Sequence, residues 1–66
     1  MTKLVIIGAS GHGEVVADIA QRVGYRDIVF LDDSPVAREC MGFPVVGPLA
    51  MANRIGGADF VVAIGD

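Results

Sequence analysis

The chain has 66 residues, of which 53% are hydrophobic, and its formal net charge is −3, from five Lys and Arg residues against eight Asp and Glu residues. This length predicts one small domain or part of one, and the acidic balance without a basic run argues against a nucleic-acid partner. Every apolar run is far shorter than the roughly 20 residues that span a bilayer, and the single cysteine, Cys40, cannot form an internal disulfide, so we expect a soluble protein of the cytoplasm with no membrane insertion.

The first predicted elements are a strand, a glycine-rich turn and a helix. Leu4–Ile7 is a continuous apolar run with β-branched residues at three of four positions, which is typical of a strand buried on both faces of a parallel sheet. The turn Gly8–Gly13 follows. The apolar spacing then changes to that of a helix, predicted from about Gly13 to Val23, with Gly24 as the residue that ends it.

The rest of the chain alternates in the same way. A second strand is predicted at Asp27–Leu31, and Ser34 with Pro35 has the pattern of a short helix start, with Ser34 as its N-cap. Three further elements are predicted: a third strand at Pro44–Gly47, a helix from Pro48 to about Ile55, and a fourth strand at Phe60–Ile64.

This order of elements, β-α-β-β-α-β, predicts an α/β fold. Alternating strands and helices form a parallel sheet with helices on both faces, because right-handed crossovers place them there. We therefore expect a small Rossmann-like, three-layer domain over residues 1–66, with a parallel four-stranded sheet and the fourth strand beside the first. Ligands of such sheets bind at the carboxyl ends of the strands.

The turn after the first strand has the pattern of a nucleotide-binding loop. A helix N-terminus exposes unpaired N–H groups and the positive end of the helix dipole, which together favour phosphate. The dinucleotide fingerprint G-x-G-x-x-G is imperfect, because Gly8 and Gly13 are present but Ser10 replaces the central glycine. Ser10 stays small and adds a hydroxyl that can bond a phosphate oxygen.

Other polar or flexible positions follow strand ends at the same edge of the sheet. His12 lies within the loop, where it would contact a ligand or bond the backbone of the turn. Asp32 and Asp33 end the second strand, where an acidic residue accepts from a ribose hydroxyl or from a base N–H, or caps a turn. We expect one carboxylate to cap and one to face the ligand, although either could do both. Gly65 follows the fourth strand and would give a ligand clearance. No metal-ligand spacing and no nucleophile with its base are present in the sequence.

Several segments in order resemble the sugar O- and N-acyltransferases of the PglD/NeuD type, the sialic acid O-acetyltransferase family. They are Lys3–Gly13, Val15–Asp18, Phe30–Ser34, Gly42–Gly47 and Val62–Gly65. The resemblance implies an N-terminal Rossmann-like domain that binds a nucleotide-sugar, often a UDP-linked amino sugar. It places substrate contacts on Ser10, Gly11, His12, Asp32, Asp33 and Gly65, in a loop supported by Gly8 and Gly13.

The resemblance also implies that catalysis lies outside these residues. In this family a left-handed β-helix domain normally follows, binds acetyl-CoA, supplies the catalytic histidine and assembles as a trimer, and its hexapeptide repeats do not occur here. His12 would then be a substrate-loop residue, and this domain would hold no cofactor of its own. Two alternatives stay open: the first βαβ portion of an NAD(P)-binding oxidoreductase, and an interaction module that uses the fold without a ligand.

Overall fold

The computed structural model describes residues 3–34 and 38–64. In chain order the elements are β1 (Lys3–Ile7), α1 (Gly11–Arg22), β2 (Ile28–Leu31), β3 (Glu39–Cys40), β4 (Phe43–Gly47), a 3₁₀ helix (Leu49–Arg54) and β5 (Ala58–Val62).

The strands form one sheet in the order β3-β4-β2-β1-β5. β1 pairs in parallel with β2 on one side and with β5 on the other, so that Val5 lies between Val29 and Phe60. The prediction that the last strand lies beside the first is confirmed. β2 also pairs in parallel with β4, whereas β3 pairs with β4 in the antiparallel direction.

The predicted purely parallel, four-stranded sheet is therefore wrong, because the sheet is mixed and has five strands. The extra strand is the two-residue β3, which turns back onto β4 through Met41 and Gly42. Both turn residues have positive φ, 54° and 82°, as tight two-residue hairpin loops require. Methionine is an unusual residue for such a turn, so the sequence carries only a weak signal for the hairpin. Cys40 is buried and unpaired, as expected of an apolar filler.

Helix α1 begins two residues earlier and ends one residue earlier than predicted. Ser10 is the extended N-cap residue, and its carbonyl accepts from the N–H of Glu14 at 3.0 Å, which brings the Gly11–Gly13 segment into the first turn. At the other end, Gly24 has a φ of 110°, as expected of a helix-ending glycine. The N–H of Tyr25 donates to the carbonyl of Ala20 at 3.0 Å, which closes a Schellman motif.

The other elements differ from prediction at their ends or in type. The predicted Pro48–Ile55 helix is a 3₁₀ helix, because six residues make too few i→i−4 bonds to sustain an α-helix and the turn closes instead from Met51 N–H to Pro48 O at 2.9 Å. β5 begins and ends two residues before the predicted Phe60–Ile64 strand. The helix predicted to begin at Ser34 and Pro35 falls on residues 35–37, which lie outside the described residues.

The sheet is covered on both faces, which gives three layers. On one face α1 packs through Ala17 and Ala20 against Ile6 and Phe30. On the other face the 3₁₀ helix covers a smaller cluster of buried residues: Val5, Val29 and Leu31. Because successive strand residues point to opposite faces and both faces are covered, the buried positions of β1 and β2 need apolar side chains on either face, which explains the continuous apolar runs Leu4–Ile7 and Ile28–Leu31.

Candidate functional site

The carboxyl ends of β1, β2, β4 and β5 meet at one edge of the sheet, where two cavities share the side chains of Asp32 and Asp33. One cavity, of about 270 Å³, is lined by Gly8, Ser10, Asp32, Asp33, Leu49 and Ile64. The other, of about 290 Å³, is lined by Asp32, Asp33, Ser34, Val45, Val46, Gly47 and Pro48. Of the predicted site residues, the structure thus brings Gly8, Ser10, Asp32 and Asp33 together at this edge.

Gly8 and Gly13 shape the loop between β1 and α1. Gly8 has a φ of 111°, and a side chain there would lie 3.0 Å from Ile64 Cγ1 and 3.1 Å from the carbonyl oxygen of Ala63. At Gly13 a methyl group would overlap the carbonyl oxygen of Gly8. The two glycines therefore let the first turn of α1 lie directly against the end of β1, which is the role of the outer glycines in a nucleotide-binding loop.

The N-terminus of α1 is open toward solvent. Ser10 is exposed, and its side chain makes no capping hydrogen bond. A side chain at Gly11 would meet no atom within 4 Å. Since the first N–H groups of an α-helix have no partner within the helix, this end offers backbone donors, a free hydroxyl and the positive end of the dipole to an anion.

His12 is exposed in this first turn. The hydrogen bonds of the described part of the chain do not include its imidazole, so the alternative in which His12 bonds the backbone of the turn finds no contact there. Contact between His12 and a ligand stays a prediction.

Asp32 joins two backbone segments with one carboxylate. Its Oδ2 accepts from the N–H of Ala9, in the β1–α1 loop, at 2.8 Å. Its Oδ1 accepts from the N–H of Ser34 at 2.8 Å. The hydrogen bond from Ala9, and then that from Ser34, hold the pKa of the Asp32 carboxyl below its usual range, against a smaller opposing effect of burial.

Asp33 contacts the opposite side of the crevice. Its Oδ1 accepts from the N–H of Leu49, the first residue of the 3₁₀ helix, at 2.9 Å. Neighbouring residues at the end of a strand point to opposite faces, so one carboxylate reaches the α1 side and the next reaches the 3₁₀ side. We expected one aspartate to cap and one to face a ligand, or either to do both. In the structure Asp32 accepts from two backbone N–H groups and Asp33 from one, and contact with a ligand stays a prediction.

Three features of the site were missed by the sequence analysis or lie outside the described residues. The partners of the aspartates, Ala9 and Leu49, lie 23 and 16 positions away in the chain, and no local pattern indicates such pairs. Leu49 and Ile64 line the crevice without having been singled out. Gly65 lies outside the described residues, although Ala63 continues the β1 pairing by donating its N–H to Ile7 O at 2.8 Å.

The described residues, 3–34 and 38–64, contain neither a metal-binding cluster nor a membrane-spanning helix. No group of three or more His, Cys, Asp or Glu side chains in these ranges could hold a metal ion. Neither helix in these ranges is both long enough and apolar enough to cross a membrane.

Comparison with known proteins identifies the family. Residues 3–66 match the family described as the PglD N-terminal domain. The chain belongs to this family. The match confirms the resemblance stated from the loop, the paired aspartates and the last strand, and the PglD N-terminal domain is Rossmann-like.

Two solved structures are similar to this PglD N-terminal domain. Both are of the acetyltransferase domain of PglB from Neisseria gonorrhoeae FA1090. The one in complex with acetyl coenzyme A is 45% identical with a TM-score of 0.85, over 94% of this chain and 31% of that chain. The other is 44% identical with a TM-score of 0.84, over 94% of this chain and 32% of that chain. The chain therefore spans about a third of the length of these relatives.

Proposed function

We propose that this PglD N-terminal domain binds the nucleotide-sugar substrate of an acetyl-CoA-dependent sugar acetyltransferase. The observation that carries the proposal is the open N-terminus of α1 beside two cavities that share a pair of carboxylates. The similarity to acetyltransferase domains supports the reaction class, and the PglB structure with acetyl coenzyme A supports acetyl-CoA as the acetyl donor of the whole protein.

The diphosphate of the ligand would lie at the N-terminus of α1. The N–H groups of Gly11 and His12 and the hydroxyl of Ser10 would donate to phosphate oxygens, and the open space at Gly11 lets the phosphate approach the backbone. The imidazole of His12 would lie beside the same phosphates and contact the ligand. Gly65 is proposed as a further contact at the end of β5, where it would give clearance.

The nucleoside would extend into the second cavity. Val45 and Pro48 offer apolar surface to a base, and Asp33 is exposed at the boundary of the two cavities. Only its Oδ1 has a hydrogen-bond partner among the described residues, so Oδ2 is placed to accept from a ribose hydroxyl or from a base N–H. A UDP-linked amino sugar is the ligand that the family resemblance implies.

Acetyl transfer itself would take place outside these 66 residues. The family resemblance implies a following left-handed β-helix domain with the catalytic histidine and a trimeric assembly. We assign no catalytic residue to this chain, and His12 is proposed as a ligand contact only.

Titration of the chain with UDP and, separately, with NAD tests the proposal. We expect UDP to give saturable NMR shifts at the amides of Gly11 and His12. NAD binding without a response to UDP would contradict the proposal and favour a dinucleotide-binding domain. A folded chain that binds neither UDP nor NAD would favour the alternative in which the domain is an interaction module without a ligand.

A pair of variants at Gly11 isolates the phosphate contact. Glu and Gln have the same size, and a Cβ atom at Gly11 would meet no atom within 4 Å. A carboxylate near the first turn favours the helix but repels a phosphate, so Gly11→Glu should remain folded and bind UDP at least about tenfold more weakly than Gly11→Gln. Equal affinities of the two variants would exclude phosphate binding at this helix end.

A further inference from the structure

One acidic side chain lies close to the proposed phosphate position, where its charge should repel the ligand. Asp32 lines the same cavity as Gly8 and Ser10. Like charges in one site disfavour each other, so a carboxylate here needs a reason other than direct phosphate contact.

The hydrogen bonds of Asp32 supply that reason. One of its carboxylate oxygens accepts from Ala9, which lies between Gly8 and Ser10 at the entrance to α1, and the other accepts from Ser34 beyond β2. We propose that Asp32 is a positioning residue, whose carboxylate holds the Gly8–Gly13 loop in its anion-binding shape, and not the direct ligand contact that the family resemblance implies for it. The inference rests on the proposed function, because it assigns a role within the same site.

Only a carboxylate can make this pair of contacts. Both oxygens of an ionised carboxyl group accept hydrogen bonds, whereas an asparagine side chain has one oxygen and one NH₂ group. Asparagine at position 32 would place its NH₂ group against the N–H of Ala9 or that of Ser34. Two donated N–H groups also offset the negative charge, which reduces the repulsion of a nearby phosphate.

The neighbouring aspartate provides a matched control. Asp33 has one described hydrogen bond, from Leu49 to Oδ1, and an asparagine oxygen can keep that bond. Asp32→Asn and Asp33→Asn therefore remove the same charge from adjacent positions, but only the first must break a backbone contact. A difference between the two variants reports the geometry and not the charge.

The experiment compares the two variants and the unchanged chain by NMR, at a temperature where all three are folded. We expect the Ala9 or the Ser34 amide to lose hydrogen-exchange protection in Asp32→Asn, and both to keep it in Asp33→Asn. UDP affinity should fall at least about tenfold in Asp32→Asn although a negative charge has been removed. Because unfolding is excluded at this temperature, a role in stability alone would not change UDP affinity.

Several results would overturn the inference. UDP binding that is unchanged or tighter in Asp32→Asn would show that the carboxylate acts as a charge, and equal loss of Ala9 and Ser34 amide protection in the two variants would show the same. If Asp32→Asn does not fold, a through-hydrogen-bond coupling between the Ala9 nitrogen and Asp32 Cγ in the unchanged chain is expected, and its absence would rule the contact out. If the unchanged chain does not bind UDP, the proposed function fails, while protection at Ala9 still decides whether Asp32 orders the loop.

Discussion

Adjacent aspartates accept hydrogen bonds from the two sides of the crevice, but the two sides differ in how closely they are packed. On the α1 side, a 12-residue helix buries Gly13, Ala17 and Ala20, and its first turn lies directly against β1. On the other side, a six-residue 3₁₀ helix has no fully buried residue, and among the described residues its side-chain hydrogen bond to the segment after β2 is the one from the N–H of Leu49 to Asp33.

The difference lies in the packing around the two aspartates, since their hydrogen bonds are alike. Each aspartate accepts backbone N–H groups at 2.8–2.9 Å, so the bonds themselves are similar. What differs is the packing around these bonds. On the α1 side Gly13 faces the backbone of Gly8, whereas on the 3₁₀ side Gly47 faces the side chain of Met51. Close-packed backbone atoms cannot move aside, but a flexible side chain can. We therefore expect the α1 side to hold one shape for a phosphate and the 3₁₀ side to adjust to a ligand.

Substitution of Gly13 should have the largest effect. The methyl group of Gly13→Ala would overlap the backbone oxygen of Gly8, which no side-chain rotation relieves, so we expect a loss of about 3 kcal/mol in the free energy of unfolding. Gly11→Ala is the matched control two residues away, where the space is open, and it should leave stability unchanged or raise it by up to about 1 kcal/mol. Thermal unfolding followed by circular dichroism measures both; similar values would refute the tight contact.

The second largest effect should be the contribution of Asp32 to stability on the α1 side, which we expect to be lost at low pH. The folded pKa of Asp32 is lowered, so its contribution to stability is present above the unfolded pKa, about 3.9, and is lost as the pH falls through the folded value. We expect Asp32→Asn to be less stable than the unchanged chain at pH 7, with the gap closing below about pH 4. Unfolding midpoints across this range test it, and a gap independent of pH would contradict the assignment.

Substitution of Gly47 should have the smallest of the three effects, on the 3₁₀ side. The methyl group of Gly47→Ala would lie 2.9 Å from Met51 Cγ, a flexible side chain that can move aside, so we expect a loss of about 1 kcal/mol. Combining it with Met51→Ala should recover part of that loss in a double-mutant cycle. A cost equal to that of Gly13→Ala would mean that both sides of the crevice are equally rigid.

Local patterns predicted the elements that have strong signals. The apolar runs of β1 and β2, the glycine turn and the helical spacing of α1 are each encoded within a few residues, and all were found near their predicted positions. Weak signals gave incomplete predictions. Met41 does not indicate a hairpin, so β3 was not predicted. Pro48 together with a short apolar pattern indicates a helix but does not specify its type. Element ends shifted by one or two residues, because caps and pairing partners decide them.

The sequence by itself determined the α/β class, the loop at the end of β1 and the resemblance to the PglD type, because these depend on residue order and periodicity. Only the tertiary structure decided what Asp32 and Asp33 do. Their partners, Ala9 and Leu49, are distant in the chain and meet them only after the parallel strands align. The reason is physical: a carboxylate can accept from any N–H that folding brings within reach, and the chain order does not say which one that is.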